Sequence, residues 1–148
     1  MASSASGASS ALTAADRNGE ALNLGLLVGR ILLVLIFPLA AYLKATGWTA
    51  AVALMQSKGL PVPPLTAAFV IAVEFVLPAL IILGLWTRPA ALCLALYTVA
   101  TAFIGHPFWN AAPAAWFGQF ANFWKNISMA GGMVVLAMAG PGRYALRP

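Results

Sequence analysis

Charge is the scarcest property of this sequence: of 148 residues, three are Asp or Glu and eight are Lys or Arg, 7% together. A water-facing domain carries about 25% charged residues, so this chain cannot coat a soluble surface of its size. Cysteine is nearly missing as well. Cys93 stands alone, which excludes an intramolecular disulfide, a Cys-X-X-Cys redox pair and a four-cysteine zinc or iron–sulfur site. Redox chemistry here needs a bound cofactor or substrate. His106 is the single histidine, a poor basis for a haem or metal site, and Met129 and Met133 are expected to pack rather than to ligate. No phosphate-cradling glycine loop or dinucleotide fingerprint occurs. The net charge of +5 does not indicate nucleic acid, because such binders gather basic residues in a patch on a soluble face. Here they are dispersed, mostly at the ends of apolar runs.

Apolar residues are what the chain has, at 62%. Residues 1–20 are Ala-, Ser- and Gly-rich and cannot bury enough surface to offset ordering entropy, so a tail is expected at 1–22 and a membrane domain at 23–148. Four apolar runs follow, at about 24–43, 65–85, 89–105 and 123–139, each close to the roughly 20 residues that cross a bilayer. Only Trp86, Thr87 and Arg88 separate the second from the third, which predicts a tight helical hairpin. Gly140-Pro141-Gly142 closes the fourth. The expectation is an all-α integral-membrane four-helix bundle with the N- and C-termini on one side.

Both long connections, 44–64 and 106–122, then lie at the other face. The second is dense in Trp and Phe and suits the headgroup zone. Near the membrane, Arg17, Arg88, Arg143 and Arg147 lie on the terminal side and Lys44, Lys58 and Lys125 on the loop side. If Lys44 and Lys125 fold inward, the imbalance places the termini in the cytoplasm.

An ionisable side chain within a span costs at least about 2.5–3.5 kcal/mol on insertion scales, so the few that occur there need a reason. Arg30, Phe37 and Lys44 are spaced by sevens and share one stripe of the first helix. From the outer end, Arg30 lies about 21 Å down and Glu74 about 15 Å down at 1.5 Å per residue, which predicts a buried Arg30–Glu74 pair. Topology brings Lys44, His106 and Lys125 to the loop-side face, with Asn126 beside them. Gly132, on the Lys125 stripe, leaves room for a neighbour or a flat ligand. Three cations against Glu74 favour an anionic or electron-accepting ligand: a quinone, or a small oxyanion. His106 and Glu74 are the candidate proton-exchanging residues, and Arg30, Lys44, Lys125 and Asn126 the candidate quinone-binding residues. Gly25 and Gly29 form a GxxxG, expected to pack within the bundle, and mid-span Cys93 is expected to be an inert small hydrophobe.

Six segments in this order carry a family resemblance: GRILLVLIF with Lys44 after it; Gly59-Leu60-Pro61; Glu74 followed by LGLWTRPAA; the His106 segment; FWKN with Gly131-Gly132; and the closing GPGRYAL. From about Leu24 to Leu146 the sequence resembles the DoxX family of small four-helix bacterial membrane proteins. Two departures stand out. Ala40-Ala41-Tyr42 replaces the usual glycine before the lysine, and Phe75-Val76-Leu77-Pro78 replaces small residues after the glutamate. The resemblance implies the bacterial cytoplasmic (inner) membrane and a bound quinone rather than a covalent cofactor. It also implies a redox partner protein, since relatives serve as a thiosulfate:quinone oxidoreductase subunit, as quinone resistance factors and in membrane oxidoreductase assemblies. Two other functions remain open: a non-catalytic anchor subunit of a redox complex, and a small-solute or lipid-binding membrane protein.

Overall fold

Proline and glycine punctuate the apolar runs, and the helices begin and end at them. The structure, a computed structural model, describes residues 19–147; most of the expected tail lies outside the described residues, although its last four residues, 19–22, are already helical. Helix α1 runs Gly19–Thr46 and α2 runs Trp48–Ser57. Helix α3 is Pro63–Leu83, α4 is Thr87–Gly105 and α5 is Pro113–Ala139, with a short 3-10 turn at Phe108–Asn110 before α5. Pro63 and Pro113 occupy first-turn positions, where the missing N–H has no intrahelical partner to lose. At the hairpin between α3 and α4, Gly84 takes φ +73° and Leu85 N–H donates to Leu80 O at 2.8 Å. This left-handed cap lets the chain reverse within three residues.

Two prolines fall inside helices. Pro38 has no N–H to give the Val34 carbonyl, and helical bonding in α1 is interrupted at Leu35. Pro78, buried in α3, likewise withholds a donor from the backbone carbonyl of Glu74.

The connections contain more structure than the apolar runs predict. Segment 44–64 holds α2, too short to cross a bilayer, which packs Ala51 and Met55 onto Ala67 of α3. Segment 106–122 supplies the first ten residues of α5, so that helix starts at Pro113 rather than near Phe123. Its aromatic side chains cluster around Phe108, whose ring centroid lies 5.2–5.3 Å from those of Trp109, Phe120 and Phe123 in edge-to-face geometry.

One core is fed by the four long helices: Val34 and Phe37, Ile81, Leu94 and Met133, closed up by Ala90, Ala91, Ala95, Ala130 and Ala137. The alanines let helix backbones approach closely, the means by which membrane helices pack. The other helix faces expose Leu32, Leu39, Phe69, Leu96, Val135 and Met138, which only a hydrocarbon solvent tolerates. Three helices, α1, α3 and the α4 segment, are long and apolar enough to cross a membrane. At 27 residues α5 is long enough, but Asn122, Lys125 and Asn126 make its first half more polar. The two ends of the described chain meet, since Arg143 N–H donates to Asn23 Oδ1 at 2.8 Å.

Candidate functional site

The polar side chains that the sequence can least afford in lipid gather in one place. The last turn of α1 contributes Lys44, the middle of α3 Glu74, the end of α4 Tyr97 and His106, and α5 Lys125 and Asn126; together they line a cavity of about 170 Å³. Lys44 Nζ donates to Glu74 Oε2 at 2.5 Å, and the Tyr97 hydroxyl donates to Glu74 Oε1 at 2.8 Å. Both carboxylate oxygens are therefore engaged, as burial of a charge requires. Thr98 and Thr101 also face the cavity, but their hydroxyls donate back to the Leu94 and Tyr97 carbonyls of their own helix.

The remaining polar groups are less committed. His106 caps α4 with its Nδ1 2.9 Å from Gln119 Oε1; a ring proton on Nδ1 donates this bond and leaves Nε2 as an acceptor. Among the described residues, Lys125 Nζ donates only to Asn122 Oδ1, at 2.7 Å. Asn126 is 8% exposed, and its amide has no hydrogen-bond partner among the described residues. Lys44 and Glu74 cancel, so Lys125 leaves the cavity with one positive charge and an uncommitted amide beside it.

Five of the six residues singled out from sequence meet here; Arg30 does not. Its guanidinium reaches the closing segment instead, where Nη1 donates to Pro141 O at 2.6 Å and Nη2 to Tyr144 O. The expected Arg30–Glu74 pair is thus replaced by Lys44–Glu74. The depth count assumed a straight first helix ending near Leu43. The helix instead continues to Thr46 with its bonding interrupted before Pro38, while the closing segment after α5 folds back over Arg30 and supplies the Pro141 and Tyr144 carbonyls. Arg30 ties the chain end down, together with Arg88, whose Nη1 donates to Ala137 O and Met138 O at the end of α5.

Other expectations change in detail. A Cβ on Gly132 would lie 3.0 Å from Leu33 Cδ1, so a leucine side chain takes the space considered for a ligand. Gly25 and Gly29 have nothing within 4 Å and do not pack inside the bundle. Cys93 faces outward. Met133 is fully buried in the core, and Met129 packs against it while lining the cavity. Tyr97 and Gln119 are the site residues that sequence reasoning missed. For Tyr97 the signal was present: Tyr97, Thr98 and Thr101 form a polar patch one turn long in an otherwise apolar run.

The DoxX family model matches residues 25–107. Inner membrane protein YphA of Escherichia coli is 41% identical over 128 residues, covering 86% of this chain and 91% of that protein. Inner membrane protein YqjF of the same organism is 36% identical over 124 residues, covering 84% and 90%. No solved structure matches the chain at a significant level.

Proposed function

We propose a function that proceeds from one established premise: this chain is a member of the DoxX family. Our reading is a four-pass protein of a bacterial inner membrane, a quinone-linked oxidoreductase component or quinone-handling subunit, whose cavity takes a quinone head ring. The observation that carries it is the pairing of a cationic Lys125 with an Asn126 amide that has no hydrogen-bond partner among the described residues, both lining one cavity. Engineered apolar cavities of about 150 Å³ take benzene, so 170 Å³ suits a single substituted ring. A quinone brings two carbonyl oxygens that gain negative charge and protons on reduction.

The residues present fit that chemistry. Lys125 and the Asn126 amide offer donors to an oxygen that becomes more basic. His106, held through Nδ1 by Gln119, keeps Nε2 for proton exchange with a quinone oxygen. Glu74, held in place by Lys44 and Tyr97, provides a second proton-accepting group. Electrons would come from a partner protein.

Length supports the fourth span: the 27 residues of α5 extend about 40 Å, beyond the roughly 30 Å hydrocarbon core. Arg88, Arg143 and Arg147 belong to the end where both ends of the described chain meet, which supports cytoplasmic termini.

A second reading has its own observation. The Lys44–Glu74–Tyr97 network is complete without any ligand, as it would be in a non-catalytic anchor subunit whose charges lock helices together. The two readings separate in one experiment: purification in mild detergent, identification of co-purifying quinones, and titration with a short-chain quinone analogue, using Glu74→Gln and Lys125→Met proteins beside the wild type. Quinone retained by the wild type and diminished in Lys125→Met supports the first reading. No quinone in any sample and no binding of the analogue overturns it in favour of the anchor.

A further inference from the structure

At the opposite end of the bundle from the quinone cavity, a second hollow of about 350 Å³ is lined by Trp86, Thr87, Arg88, Pro89, Pro141 and Arg147. It lies at the N-terminus of α4, a helix of 19 residues. The cap residue there is Trp86, with φ +47° and no side-chain hydrogen bond to the helix. The first backbone N–H groups of a helix lack intrahelical acceptors, Pro89 contributes none, and Ala90 N–H is used by Trp86 O. The N–H groups of Thr87 and Arg88 remain for an acceptor, with the positive end of the helix dipole behind them.

Thr87 supplies an independent indication that something binds. It is 2% exposed, and its Oγ1 is buried without a hydrogen-bond partner. Elsewhere in this molecule threonine hydroxyls donate to backbone carbonyls, as at Thr98 and Thr101. A buried hydroxyl left unpaired is costly, and Thr87 lines a hollow that holds two arginines and, among the described residues, no carboxylate. Arg88 has given Nη1 to the α5 carbonyls. The Arg147 side chain is exposed and makes no hydrogen bond among the described residues.

We propose that this hollow binds the phosphate of an anionic phospholipid headgroup, with the Thr87 hydroxyl, the Thr87 and Arg88 backbone N–H groups and the Arg147 guanidinium as its donors. The ligand chemistry is a phosphate oxyanion. The lipid is favoured as its source because Trp86 is 69% exposed on a turn between two membrane-crossing helices, the level at which tryptophan sits among headgroups. The bulk of the indole then lies against the acyl boundary while the phosphate meets the helix end.

Native mass spectrometry of the detergent-purified full chain, titrated with phosphatidylglycerol, phosphatidylcholine or inorganic phosphate, tests this. Selective retention of phosphatidylglycerol is expected. Thr87→Val and Arg147→Gln should each weaken it about tenfold, the loss of roughly one charge-assisted hydrogen bond. Thr87→Val removes a hydroxyl that bonds nothing among the described residues, so in lipid-free detergent its melting temperature should equal or exceed that of the wild type. Phosphatidylglycerol binding that survives both substitutions overturns the site. Equal retention of phosphatidylcholine overturns the preference for anionic lipid. Inorganic phosphate binding without lipid selectivity overturns the lipid as source.

Discussion

Removing the Glu74 carboxylate isolates a buried ammonium, and the structure says which one. In Glu74→Gln the Lys44 Nζ loses an anion 2.5 Å away, with the two side chains only 22% and 7% exposed. Breaking a buried pair by removing one partner costs about 3–5 kcal/mol, chiefly because the other charge stays behind without compensation. Lys44→Met leaves the mirror problem, a buried carboxylate held only by the Tyr97 hydroxyl, and should cost a similar amount. Removing both at once eliminates both stranded charges. The double variant Lys44→Met/Glu74→Gln is therefore expected to be no worse than either single one, with a coupling energy of at least about 2 kcal/mol. Arg30 serves as the control. It bonds Pro141 and Tyr144 carbonyls and not Glu74, so Arg30→Met and Glu74→Gln should add to within about 0.5 kcal/mol. The assay is equilibrium unfolding in mixed dodecylmaltoside–dodecylsulfate micelles, followed by fluorescence of the five tryptophans. Additive Lys44 and Glu74 substitutions together with coupled Arg30 and Glu74 substitutions would refute the assignment and restore the pair expected from helical depth.

Three further outcomes follow from the same contacts. Tyr97→Phe removes one hydrogen bond to a charged carboxylate while leaving Lys44 paired, and should destabilise by about 2 kcal/mol in the same unfolding assay. Gly84→Ala sets a Cβ 2.5 Å from Ala145 Cβ at φ +73°; left-handed strain plus overpacking, about 2–5 kcal/mol together, should loosen the closing segment, seen as faster proteolysis after Gly140. Lys125→Met should leave stability within about 0.5 kcal/mol of the wild type, because Lys125 is exposed and among the described residues bonds only Asn122, while lowering affinity for a short-chain quinone analogue. Loss of stability in that variant would make Lys125 a packing residue.

Much of the architecture was legible because hydropathy is additive along a chain. The second and third runs and the Trp86–Arg88 hairpin lie within two or three residues of the observed helices. Segment 113–122, dense in Trp and Phe, suits a connection in the headgroup zone by composition, yet Pro113 starts a helix there and the aromatic cluster around Phe108 packs it. Helix α2 was missed for a related reason: ten residues are too few for a span, and Ala51 and Met55 become a buried face only once Ala67 lies beneath them.

By itself the sequence determined that this chain suits lipid, that its long helices can cross it, and that Arg30, Lys44, Glu74, His106, Lys125 and Asn126 are the candidates for a site there. Those conclusions depend on burial energy, which each residue carries wherever it sits. Only the tertiary structure decided who meets whom. Lys44, not Arg30, reaches Glu74, Tyr97 completes the carboxylate's bonds, and Arg30 turns to a chain end that folds back over it. Pairing depends on helix bends, end lengths and side-chain direction to within a few ångströms. A proline interruption and a returning closing segment shift those quantities by more than the margin that a straight-helix count allows.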